Sequence, residues 1–161
     1  MLGKEYEGQI CSIARSLELV GERWSLLVIR EIFHGRRKFS EMQRSLGVAR
    51  NVLTARLQRM VDEEILERRP YSDKPERYEY FLTEKGLDLW PVMIALMQWG
   101  DKYEPRPEGR PSIVVHKGEC GGEIDDRRIC TRCGKALTVR EARAIEGPGM
   151  KAALDSLKAA A

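Results

Sequence analysis

Apolar residues recur at helical spacing in four successive stretches of this 161-residue chain. Ile13, Leu17 and Val20 share one face, which predicts a helix over 11–20 punctuated by Gly21. Trp24, Leu27, Val28, Ile32 and Phe33 predict a second helix over 24–33, closed by Gly35. A third opens at Ser40 with Gln43 three places on, the pattern of a reciprocal N-terminal cap. Gly47 ends it, because a residue without Cβ takes the left-handed conformation that leaves a helix. The fourth runs over 50–64, with Val48, Leu53, Leu57, Met60 and Val61 as its apolar stripe. Arg50, Asn51, Thr54, Ala55 and Gln58 lie largely on the opposite side, flanked by Arg56 and Arg59. Ala49 precedes this helix, where Ser or Thr would cap it better.

After Ile65 the period changes. Residues 66–70 and 77–82 have the β-branched or aromatic character and partial alternation of strands, and 71–76 supply turn residues. Pro75 biases Lys74 away from helix, so a hairpin over 66–82 is predicted. From a Thr83 cap a long helix is predicted to about Tyr103, with Pro91 inside it bending the axis. Leu87, Leu89, Trp90, Val92, Met93, Ile94, Leu96, Met97 and Trp99 wrap most of its circumference, so it must be buried on more than one face. The chain is too small to cover it, which implies a homodimer; the C-terminal segment is the alternative cover. A Pro- and Gly-rich linker, 105–111, separates a first domain over 1–104 from a small segment over 112–147 and a tail over 148–161. Alanine-rich 151–161 has the composition of a short frayed helix or of none.

Net charge is only +3, but its distribution is uneven. Residues 34–59 hold Arg36, Arg37, Lys38, Arg44, Arg50, Arg56 and Arg59 against the single acid Glu41, whereas 62–67 carry four acids and no base. A basic patch on a near-neutral chain is the footprint of nucleic-acid contact, although a solvated face has the same composition. Outward Arg, Asn, Thr and Gln match what the major groove presents: guanine acceptors and the mixed edge of adenine. A short helix, a Gly turn, a longer helix and then a basic-tipped hairpin form a helix-turn-helix followed by a wing. That combination favours a reader of double-stranded DNA over a merely solvated helix. Lys74 and Arg77 at the wing, with Arg36, Arg37, Lys38, Ser40, Arg44 and Arg56, are the candidate phosphate contacts. Arg50, Asn51, Thr54, Ala55 and Gln58 are the candidate base readers.

No apolar run is long enough to span a bilayer, and Lys4, Glu5 and Glu7 interrupt any signal-type core, so a cytoplasmic location is expected. In a reducing compartment, clustered cysteines read as metal ligands before disulfides. Cys130 and Cys133 form a Cys-x2-Cys knuckle followed by Gly134, and His116 with Cys120 completes a Cys3His set for structural Zn2+. An unliganded hairpin and a redox dithiol are the competing readings. An enzyme is disfavoured: His34 and His116 are the only near-neutral acid–base groups, and there is no Gly-rich phosphate loop or Ser/His/Asp set.

The stretches 11–24 (CSIARSLELVGERW), 46–57 (LGVARNVLTARL), 68–71 (RRPY) and 80–86 (YFLTEKG) resemble the HxlR family of winged-helix transcription regulators, in order and spacing. The resemblance implies a mainly α protein with a small β-hairpin wing (α+β), related to the MarR type. It implies a homodimer built by the first and last helices, with the fourth helix in the major groove of a pseudo-palindromic operator, and more often a repressor. It also places Cys11 at the position of the thiol sensor of several members. A helix N-terminus favours thiolate, yet a buried apolar cysteine is the commoner fate of a lone one. Trp24, Trp90, Trp99 and Tyr103 fall where an effector pocket or plain core would use them. The regulated gene and the effector are not named by the sequence. The rival function is a zinc-binding interaction adaptor that has lost operator binding.

Overall fold

The computed structural model describes residues 8–159, so the stretch holding Lys4, Glu5 and Glu7 lies outside it. Among the described residues the chain divides into two compact units between Asp88 and Leu89. The first contains α1 (Ser12–Val20), α2 (Ser25–Phe33), α3 (Phe39–Leu46), α4 (Arg50–Asp62), β1 (Leu66–Asp73), β2 (Glu76–Leu82) and the short α5 (Glu84–Leu87). The four expected helices and the hairpin are therefore present in the expected order.

Helical periodicity builds the core of this unit. Val28 and Ile29 of α2, Met42 of α3, and Leu53, Leu57 and Met60 of α4 are fully buried, together with Ile65 and Leu66 at the start of the wing. Gly47 leaves α3 at φ 61°, a conformation that any Cβ would strain, so the turn into α4 depends on glycine. The cap of α3 differs from expectation. Lys38, held extended by a bridge to Glu79 of β2, is the N-cap, and the Glu41 carboxylate accepts from the backbone N–H groups of Arg37 and Lys38, both at 3.2 Å. Because that bridge starts the helix at Phe39, Ser40 and Gln43 fall inside the first turns rather than at the boundary. Ala49 makes no side-chain cap, and the entry to α4 is held by its buried stripe.

β1 and β2 pair antiparallel from Leu66↔Leu82 to Asp73↔Glu76, with an irregularity at Tyr71. The strands run further than alternation indicated, leaving only Lys74 and Pro75 in the turn, where the Ser72 hydroxyl donates to the Pro75 carbonyl at 3.0 Å. Thr83 caps α5, accepting from Gly86 N–H at 3.1 Å, but the helix does not continue to Tyr103. A turn at Asp88 and Leu89 intervenes, and α6 (Trp90–Tyr103) starts afresh with Pro91 in its first turn. There the missing N–H has no intrahelical acceptor to lose, so Pro91 starts a helix instead of kinking one.

The second unit contains α6, β3 (Ser112–His116), β4 (Ala142–Glu146) and α7 (Pro148–Ala159). β3 pairs with β4 from Ser112↔Glu146 to His116↔Ala142, and Glu123 and Ile124 form isolated bridges to Val115 and Cys130. Val114, Val115, Ile124, Leu137 and Ala142 make its small core. α6 groups with this unit, where the Gln98 amide donates to the Asp125 carbonyl at 2.9 Å. The alanine-rich end is helical as α7 and touches β3. No helix among the described residues is long and apolar enough to cross a membrane.

Candidate nucleic-acid interface and cysteine–histidine cluster

With Leu53, Leu57 and Met60 pointing inward, α4 turns Arg50, Asn51, Thr54, Ala55 and Gln58 to solvent, and all five are exposed. Arg50 is steadied by the Phe39 ring, 5.1 Å from its guanidinium. The Thr54 hydroxyl donates to the Arg50 carbonyl at 2.9 Å, and the Gln58 amide donates to Asp62 at 2.7 Å. Arg50 and Asn51 are thus the members of the set nearest the start of the helix, where a helix entering a groove makes its base contacts.

The phosphate candidates separate into two groups. Arg37, Ser40, Arg44, Lys74 and Arg77 are exposed, and half-buried Lys38 lies 5.1 Å from the Tyr71 ring and 3.9 Å from a Glu79 carboxylate oxygen. Arg36 is exposed as well, but its guanidinium donates at 3.0 Å to Glu31, which is 1% exposed and also bound by Arg30 at 2.6 Å. Burial alone would raise the Glu31 carboxyl. The Ser45 hydroxyl and the Arg30 and Arg36 guanidinium groups outweigh it and hold the group below its ordinary value. Arg56 differs from the others: it is buried and its guanidinium pairs with Glu22. Two side chains outside the sequence-based set, Arg69 and Phe81, join this surface. Arg69 of β1 and Arg37 both stack on Phe81 of β2, at 4.3 and 4.6 Å. The chain separation of these three residues hides the cluster from any local pattern.

Cys11 is the N-cap of α1, its sulfur accepting from Ala14 N–H at 3.4 Å, and it is exposed in this chain. The aromatic set is split: Trp90 is buried and Trp24 half-buried, while Trp99 and Tyr103 are exposed with ring centroids 5.4 Å apart.

In the second unit the four expected ligands converge. The donor atoms of His116, Cys120, Cys130 and Cys133 all lie within 4.8 Å of one another. Cys120 and Cys130 sulfurs are 3.5 Å apart, and Cys133 Sγ is 3.4 Å from His116 Nδ1. These separations approach the ~3.7 Å edge of a tetrahedron with zinc–sulfur bonds of about 2.3 Å. The backbone N–H groups of Cys133 and Arg132, aided by the neighbouring thiols, pull the Cys130 thiol down to about 6. Gly122 is needed for this closeness, since a Cβ there would lie 2.6 Å from the Cys130 sulfur. The spacing of the cysteines announced the ligands; nothing in it announced Gly122.

Residues 19–108 match the model of the HxlR-like helix-turn-helix family. An uncharacterized HTH-type transcriptional regulator of Mycobacterium tuberculosis is 49% identical over 96% of both chains. A second such regulator, from Synechocystis, is 33% identical over 69% of this chain and 83% of its own. Among solved structures, that of the proposed transcription factor PA1607 covers 83% of this chain and 92% of its own at 32% identity and a TM-score of 0.65. The oxidized form of the redox regulator HypR covers 57% and 96% at 27% identity and a TM-score of 0.53. With its winged helix-turn-helix in place, the chain belongs to the HxlR-like helix-turn-helix family of transcriptional regulators.

Proposed function

We propose that this regulator is a homodimeric, sequence-specific repressor that reads a pseudo-palindromic operator with α4 and steadies itself through the wing. The observation that carries the reading is the exposed Arg50–Asn51 pair on a helix whose opposite face is fully buried, beside exposed Arg37, Arg44, Lys74 and Arg77. Arg50 donates to guanine or Asn51 pairs with adenine, while the surrounding cations neutralise phosphates. Repression, rather than activation, is what the family resemblance implies.

Dimerisation is supported by apolar faces that each unit leaves open. Ile10, Ile13 and Leu17 are exposed on or beside α1, and Val92, Leu96, Trp99 and Tyr103 are exposed along α6. Selection of bound sequences from random duplexes tests the reading: inverted half-sites about one DNA turn, roughly 34 Å, apart are expected. Recovery of no preferred sequence would count against it.

His116, Cys120, Cys130 and Cys133 suit one structural zinc ion, which when bound would tie the loops of the second unit together. Metal analysis of purified protein and of Cys133→Ser decides this; wild type without zinc ends the idea. Control through Cys11 is also proposed, supported by its exposed position at the N-cap of α1 and by the likeness to a redox regulator.

A further inference from the structure

The wing carries a feature that base reading by α4 leaves unexplained. Opposed residues of an antiparallel pair share a face, which puts Glu67 with Phe81 and Arg69 with Glu79 on one side of the hairpin. Leu66 and Leu82 are on the other side, where Leu66 is buried in the core. Along the free edge of β2 runs the chain before α3. Tyr80 N–H donates to the Arg37 carbonyl at 2.9 Å, and Lys38 bridges Glu79. Three distant segments thus bring Arg37 and Arg69 to the same aromatic ring, at 4.6 and 4.3 Å.

Two guanidinium groups on one ring repel each other unless anions answer them. The acids on this side are Glu67, which pairs with Arg69, and Glu79, which lies 3.9 Å from Lys38. Glu41 accepts from the backbone N–H of Arg37, and among the described residues no carboxylate pairs with the Arg37 guanidinium. The Arg69–Glu67 pair is solvent-exposed and so worth little, which leaves Arg69 able to exchange that carboxylate for a stronger anion. A guanidinium lying against an aromatic ring keeps its N–H groups directed outward in a fixed fork, the geometry that takes a phosphate through two hydrogen bonds.

We propose that Arg37 and Arg69, held against Phe81, form a clamp for the phosphate backbone of duplex DNA at the root of the wing. Phe81 is a positioning residue in this clamp, and Arg69 is its previously unassigned half. The proposal rests on the DNA reading above and adds an anchor that is independent of base sequence. The competing interpretation is that the two arginines only shield Phe81 from water.

The test is binding of full-length protein to a duplex taken from the selection, measured across a range of salt concentrations. Arg69→Ala is expected to reduce the magnitude of the log–log salt slope by about 0.9, one phosphate's share. It should weaken binding about tenfold on selected and scrambled duplexes alike. Phe81→Leu leaves the charge unchanged, so a flatter slope and a roughly threefold loss would report lost positioning. Phe81→Tyr, which keeps the ring, should restore both. Arg69 is exposed, so Arg69→Ala is free of any folding defect that Phe81→Leu introduces. A wild-type slope for Arg69→Ala overturns the clamp while leaving base reading by α4 intact. Salt-insensitive binding by the wild type removes the DNA reading and the clamp with it.

Discussion

Replacing Arg56 distinguishes an arginine that touches DNA from one that holds the reading helix in place. Its side chain is 11% exposed and pairs with a Glu22 side chain that is 56% exposed. Truncation to Ala removes the two buried methylenes beyond Cβ, worth roughly 1.6 kcal/mol at about 0.8 each. Glu22 is wet enough to regain hydration, so the lost pair adds at most about 1 kcal/mol. Against this, Arg56 Nε is buried without an acceptor, and removing it recovers about 1 kcal/mol. The net expectation for Arg56→Ala is a loss of roughly 1.5 kcal/mol in denaturant unfolding. Arg56→Met, which keeps the stem and drops the unpaired nitrogen, should stay within about 1 kcal/mol of wild type. Neither variant should alter the salt slope of DNA binding while it remains folded. Unchanged stability together with a slope reduced by about 0.9 would refute the inward assignment and return Arg56 to the phosphate contacts.

The remaining expectations are separable. Glu31, held below its ordinary value in the folded chain, contributes stability that is fully present above the usual carboxylate range and lost as pH falls through its folded value; Glu31→Gln should flatten that acid limb of an unfolding curve. Cys130→Ser or prolonged chelation should melt the second unit, detected as collapse of amide protection in β3 and β4 with α2 to α4 retained; intact protection would argue against metal-coupled folding. Leu96→Asp on the exposed face of α6 should shift sedimentation from dimer towards monomer and weaken operator binding, whereas an unchanged dimer would place the interface elsewhere. Cys11→Ser should lose the response of operator affinity to diamide; a wild-type response would exclude this thiol as the sensor.

Periodicity carried α2 to α4, because each buries one stripe, whereas on α1 the periodic Ile13 and Leu17 are exposed and only Ala14 and Val20 are buried. Arg56 also follows Leu53 by three and precedes Met60 by four, but its charge set it with the polar flank rather than on the stripe. Glu41, rather than Ser40 and Gln43, caps α3 because the start of that helix is set by Lys38 pairing with Glu79, a contact across the fold. Pro91 has two opposite meanings, kink or start, and the turn at Asp88 and Leu89 selects the second. The cysteine spacing exposed the ligand cluster, yet β4 has only Ala142 buried and an otherwise exposed face, so its pairing with β3 left little local pattern. Arg37, Arg69 and Phe81 meet only through tertiary pairing, which is why half of the wing's basic cluster stayed hidden.

The most direct test of base reading by α4 compares wild type and Asn51→Ala on a selected operator and on a scrambled duplex, with both affinities measured at several salt concentrations. Base readout predicts that Asn51→Ala loses about 1–3 kcal/mol of preference for the operator, while its binding to the scrambled duplex and its salt slope stay as in wild type. An undiminished preference in Asn51→Ala and in Arg50→Ala would contradict it.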